Sequence, residues 1–154
     1  MMFYSIINPK DRTMKKLLYI SLVLPILLVA GLNVEKVGNT LADIKSVKVG
    51  KVLKFFNSNK NINLGKKLKF TSKEKADIIL FPKSRSNKIV IVDSYKKLQT
   101  DKNSIGAIYL KKGRTQIIFI EERLKKNGLT LPDSYSKHLL SECQINPMCL
   151  LANI

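Results

Sequence analysis

Four short apolar runs between positions 76 and 120 set the pattern of this chain. Ala76 to Phe81, Lys88 to Asp93, Ser104 to Leu110 and Thr115 to Ile120 are rich in β-branched residues and bounded by Gly, Asn, Pro or charge. That is the pattern of strands in a sheet core. Phe81-Pro82 closes the first run, because Pro lacks an N–H and pushes the residue before it out of helical geometry. Gly106, inside the third run, predicts a bulge or a close backbone approach. Lys111 to Arg114, with Gly113 supplying the free dihedral, predicts a hairpin turn that makes the third and fourth strands an antiparallel pair.

The flanking segments read as short helices and loops. Val34, Val37, Leu41 and Ile44 recur at helical spacing, although Gly38 and Asn39 weaken the pattern. Gly50 to Phe56 is expected to extend that helix or form a short one of its own, with lysine heads in water and apolar side chains inward. Asn57 to Asn63 reads as a solvated loop. Lys67 to Thr71 alternates as an exposed edge strand does, with lysines that blunt pairing. Asp93 or Ser94 can cap a helix through Leu98. Glu121 and Glu122 start another, Leu124 points inward and Gly128 stops it. Leu129 and Leu131 straddle Thr130 in an extended segment. A last helix is expected from Pro132-Asp133-Ser134, with Tyr135, Leu139 and Leu140 on its inner face, and regular structure ends at Asn146-Pro147.

The N-terminal third has a different texture. Met14-Lys15-Lys16 precedes an apolar run from Leu17 to Leu32, broken by Pro25 and with small residues at Ala30-Gly31. A basic start, an apolar middle and small residues form an export-signal pattern, tidier still for a start at Met14. The run is slightly short for a membrane helix, so a cleaved signal and a retained anchor both fit. Lysines before it predict that the later residues lie on the outer side of the inner membrane. The expected organisation is therefore residues 1–33 as signal peptide or membrane anchor and 34–154 as one periplasmic α/β domain. Its fold class is a small mixed sheet flanked by short helices, behind an N-terminal hydrophobic export or anchor helix.

Charge narrows the partners. The chain has 154 residues, with 28 Lys or Arg against 11 acidic residues and a formal charge of +17. Only four of the basic residues are Arg, so the surplus is poor in the planar forks that read bases or grip phosphates. A dedicated nucleic-acid role is disfavoured. An anionic membrane face or an acidic partner fits the same charge. Lys83 and Arg85 lie in a basic loop after the end of a buried strand, where α/β proteins often place ligand contacts. They are the candidate ligand-binding pair for a small anion, a solvated turn being the plainer reading. No Gly-rich phosphate cradle accompanies them.

Candidate chemistry is sparse. Cys143 and Cys149 can pair in an exported protein and pin the C-terminal tail; otherwise they are two small buried thiols. With one histidine, His138, they are too few for a zinc site, and His138 reads as a helix-surface residue. Asp77 and Asp93 flank strands without a defined mutual spacing, and the adjacent Glu121 and Glu122 diverge on a helix. The chain thus reads as noncatalytic, with no cofactor or metal expected.

The order of elements in the C-terminal half resembles the YfiR-like periplasmic proteins. The residues that carry the resemblance are Ile89-Val-Ile-Val-Asp-Ser94, Ser104-Ile-Gly-Ala-Ile-Tyr109 and the Gly113-Arg114 turn into Thr115-Gln-Ile-Ile-Phe-Ile120. Glu121 to Lys126, Gly128-Leu129-Thr130-Leu131 and Leu139-Leu140 continue it. The resemblance implies an exported α/β regulator that binds the periplasmic sensor part of an inner-membrane signalling enzyme, often one making cyclic-di-GMP. It also implies a possible homodimer and the use of disulfides. Gly106, Gly113, Gly128 and Leu129 carry over as fold-bearing residues only. Three functional classes follow as expectations: a noncatalytic periplasmic interaction protein, a small-ligand or anion-binding module, and an envelope protein whose basic face approaches anionic lipid.

Overall fold

A computed structural model describes residues 31–146 and 148–151. The export or anchor segment expected at residues 1–33 lies, up to Ala30, outside the described residues. Among the described residues no helix is long and apolar enough to cross a membrane. Residues Gly31–Ile154 form a unit with its own core.

The chain enters through α1 (Val34–Ala42), whose N-cap Asn33 accepts the Lys36 N–H at 2.9 Å. Strand β1 (Lys45–Ser46) follows, then β2 (Lys54–Asn57), β3 (Lys69–Phe70), β4 (Ile78–Leu80) and β5 (Ile89–Val92). Helix α2 (Tyr95–Thr100), capped by Ser94, leads to the long strands β6 (Ser104–Lys111) and β7 (Arg114–Ile120). Helix α3 (Glu121–Lys126), strand β8 (Leu129–Thr130), a 3-10 turn (Asp133–His138), strand β9 (Leu139–Leu140) and helices α4 (Glu142–Ile145) and α5 (Met148–Leu151) complete it.

Seven strands form one mixed sheet in the order β3-β2-β4-β5-β6-β7-β9, and β1 pairs with β8 in a small antiparallel ribbon. Neighbouring strands from β3 to β6 are parallel, β7 runs antiparallel to β6, and β9 is parallel to β7. Successive side chains in a strand point to opposite faces, so each apolar run feeds two layers. Ile78, Leu80, Ile91, Ile117 and Phe119 pack on one face with Val37 and Leu41 of α1, Leu124 of α3 and Leu68. Ile79, Val90, Val92, Ala107 and Ile120 pack on the other with Leu98 of α2 and Ile145 of α4. The register between β5 and β6 shifts from Val90–Ser104 to Ile91–Gly106, which leaves Ile105 unpaired in β5's ladder. Ile105 and Ile108 therefore both reach the first face.

Glycine positions carry two of these contacts. A Cβ on Gly106 would lie 2.5 Å from the Phe119 ring and 2.6 Å from the Ile118 carbonyl, so β6 and β7 meet there without room for a side chain. The helix-weakening Gly38 sits where a Cβ would be 2.6 Å from the Leu64 carbonyl. It admits the 57–68 loop against α1 at the cost of some helix propensity. In that loop Asn57, Asn59 and Asn63 each accept a backbone N–H two residues on, a chain of local turns.

Three expectations are corrected. Residues 54–57 are a strand inside the sheet, not helix. Phe55 faces the first cluster and Phe56 the second, and pairing with β3 and β4 on either side decides the matter. Leu139 and Leu140 are not on a helix face; as strand β9 they point to opposite layers, and the segment before them is a 3-10 turn. Asn146-Pro147 does not end regular structure, because α5 follows.

Candidate functional site

Each charged or polar group singled out in the sequence has a definite place. Lys83 lines a depression of about 260 Å³ beyond the carboxyl ends of β2 and β4, with Ser58, Lys73, Ser84 and Ser86 around it and Phe56 and Ile79 at its base. Arg85 is exposed and is not among the residues lining it. Lys88, from the same loop, is structural. Its ammonium donates to the carbonyls of Lys73 and Ala76, both at 3.0 Å, and of Glu74, and so straps the turn before β4 to the start of β5.

The two aspartates serve separate elements. Asp77 pairs with Lys51 at 2.7 Å and accepts the Lys54 N–H at 2.9 Å. Burial acts to raise its carboxyl, but the Lys51 bond and the Lys54 N–H outweigh that and hold it below the usual value. Asp93 pairs with Lys97 along α2. His138, expected on a helix surface, instead sets Nδ1 2.9 Å from the Ile117 carbonyl at the β7–β9 seam. Cys143 and Cys149 are joined, with Cα atoms 4.9 Å apart, at the start of the tail.

The most heavily bonded side chain gave no local sign in the sequence. Arg123 of α3 is only 6% exposed. Its Nε and Nη2 donate to the two oxygens of Glu142, each at 2.7 Å. Its Nη1 donates to the carbonyls of Leu98, Asp101 and Ser104 at 2.8 to 3.0 Å. The guanidinium thus closes the end of α2, the start of β6 and the start of α4 in one clasp. A cavity of about 420 Å³ lies beside it, lined by Asn87, Lys102, Glu122 and Lys126 among others. All of the guanidinium's nitrogens are already engaged, so this is a fastening and not a ligand site.

Among the described residues two surfaces remain open. The helices that these residues pack on the second sheet face are α2, six residues long, and α4, four residues long. Phe56, Tyr95, Tyr109, Ile118 and Leu140 on that side are left partly buried. The edge-strand end of the sheet is different in character. Val47, Val49, Val52 and Phe70 are exposed there, among lysines.

The fold defines the chain as a small mixed α/β domain. No family model, curated protein or solved structure matches it.

Proposed function

We propose that this chain is a noncatalytic interaction protein that works in the periplasm, at the outer face of the inner membrane, and regulates a membrane signalling enzyme through its sensor domain. The observation that carries the reading is the thinly covered sheet face, where Tyr95, Tyr109, Ile118 and Phe56 stay partly exposed beside a well-packed core. Tyrosine and aliphatic groups held by a rigid sheet make good anchors for a protein partner, because their contact area comes at little cost in side-chain freedom. The apolar run from Leu17 to Leu32 supports export or anchoring. The linked Cys143 and Cys149 suit an oxidising compartment. The resemblance to YfiR-like proteins supplies the class of partner and the option of a homodimer. Affinity capture of the full chain from native membranes tests this. One inner-membrane protein with an extracytoplasmic sensor domain is expected, and its yield should drop at least about tenfold with Tyr109→Ala in a variant that still melts cooperatively.

A second reading, a small-anion module, is favoured by one feature: the depression at the strand ends with Lys73 and Lys83 on its rim and serine hydroxyls between them. Calorimetric titration with inorganic phosphate tests it. Saturable heat that disappears in Lys83→Ala supports the module, and no heat at millimolar phosphate removes it.

A further inference from the structure

Residues 44–73 contain nine lysines and no Asp, Glu or Arg. The fold brings much of this run to one edge of the seven-stranded sheet, where it supplies β2, the edge strand β3 and the loops around them. Val49 stands at 103% exposure on a turn whose next residue, Gly50, has φ +76°, while Val47 and Val52 are 66% and 55% exposed. Phe70 is exposed on the edge strand beside them. Between loop and edge lies a groove of about 500 Å³, rimmed by Lys45, Lys48, Lys51, Lys67 and Lys69 and floored by Ile44, Leu53, Phe55 and Leu68. Lys51 pairs with Asp77. Among the described residues the other four rim lysines make no ion pair.

We propose that this end of the domain docks on an anionic lipid surface, with the Val47–Val52 loop entering the headgroup layer and the lysines lying among lipid phosphates. Composition selects lipid over protein as the occupant. Protein interfaces are enriched in Tyr, Trp and Arg and depleted in Lys, and residues 44–73 have no Tyr, Trp or Arg. Lysine ammoniums are compact, hydrated point charges that answer the diffuse field of a charged bilayer and need no fixed geometry. Valine is under-represented among the residues that anchor protein contacts, whereas each valine at this loop tip can enter the boundary between headgroups and acyl chains. The docking rests on the reading that the domain is delivered to a membrane face. It uses a different surface from the Tyr109 face, and it would hold that face in a set orientation to a membrane-bound partner.

The test uses residues 31–154, the compact unit that holds the described members of both apolar clusters, with a cooperative melt by circular dichroism required of the unaltered domain and of every variant. Cosedimentation is measured with vesicles of phosphatidylcholine alone and with about 30% phosphatidylglycerol added. Binding is expected on the anionic vesicles only, and it should be lost at about 0.5 M salt. Each of Lys45→Ala, Lys48→Ala and Lys69→Ala should weaken it about fivefold. Val49→Asp should weaken it with no change in melting, because this side chain is fully in solvent. Equal binding to neutral vesicles, or no response to the triple lysine substitution, overturns the proposal. Capture by polyglutamate without vesicle binding also overturns it and assigns the patch to an acidic protein. Capture of the membrane protein responds to Tyr109 and not to these lysines, so failure of either idea is recognised separately.

Discussion

Arg123 and Glu142 form a two-armed ion pair in which Nε and Nη2 each donate to one carboxylate oxygen at 2.7 Å. The pair joins α3 to α4, and the third guanidinium nitrogen fastens both to the end of α2. Arg123→Ala strips several carbonyls and a carboxylate of their donor at once. The expected cost is about 2–4 kcal/mol, read from urea unfolding of the variant beside the unaltered domain. A loss near zero would show that water replaces the clasp.

Acid should loosen the same clasp. The Arg123 hydrogen bonds, outweighing partial burial and assisted by Lys102, hold the Glu142 carboxyl below its ordinary value of 4.5. Asp77 is also held low in the folded domain. The unfolded chain therefore takes up protons first as the pH falls. The stability these groups contribute is complete above the unfolded values and is lost as the pH drops through the folded ones. Thermal melts between about pH 6 and pH 3 should show a falling midpoint, and the fall should be shallower in Glu142→Gln. An unchanged slope in that variant would mean that Glu142 is not held low.

Gly106→Ala places a methyl group 2.5 Å from the Phe119 ring and 2.6 Å from a backbone carbonyl. The ring can shift, but the strand cannot. Destabilisation of about 1–3 kcal/mol is expected from chemical denaturation. Phe119→Leu in the Gly106→Ala background should recover only the part due to the ring.

Cys143 and Cys149 lie six positions apart and close a small loop at the head of the tail. Chain-entropy arguments give such a link about 2 kcal/mol. Mass spectrometry of the non-reduced native protein should find it lighter by two hydrogens than the reduced form. The double Ser variant should unfold at lower denaturant. Free thiols in the native protein would contradict the link.

Much of the sheet was legible because its core strands announce themselves locally. Ile89 to Val92 are β-branched throughout, Ile117 to Ile120 are β-branched or aromatic, and both runs are apolar on both faces, as strands covered on two sides must be. Gly106, and the turn at Lys112-Gly113 whose two residues take positive φ, were equally local signals. Strand β2 was not legible. Lysines at 51 and 54 mimic a solvated helix edge, and what makes residues 54–57 extended is pairing with β4, more than twenty positions away. Leu139-Leu140 misleads for a related reason: adjacent leucines fit one helix face as well as two sheet faces. Arg123 sits in a Glu-Glu-Arg-Leu-Lys-Lys stretch in which Leu124 alone reads as inward, so nothing nearby marks the arginine as buried. For the cationic rim a signal existed, the acid-free run of residues 44–73, but a charge run by itself reads as solubility until the fold shows which valines stand beside it.

The proposed meeting of the domain with a membrane protein outside the cytoplasm, through its thinly covered sheet face, can be tested in place. The most direct measurement is crosslinking in intact cells from a photoreactive side chain in place of Ile118, which is partly exposed on that face. One dominant adduct is expected, to an inner-membrane protein with an extracytoplasmic sensor domain, and it should be lost when Tyr109→Ala is added. Adducts to cytoplasmic proteins alone, or an adduct indifferent to Tyr109, would contradict it.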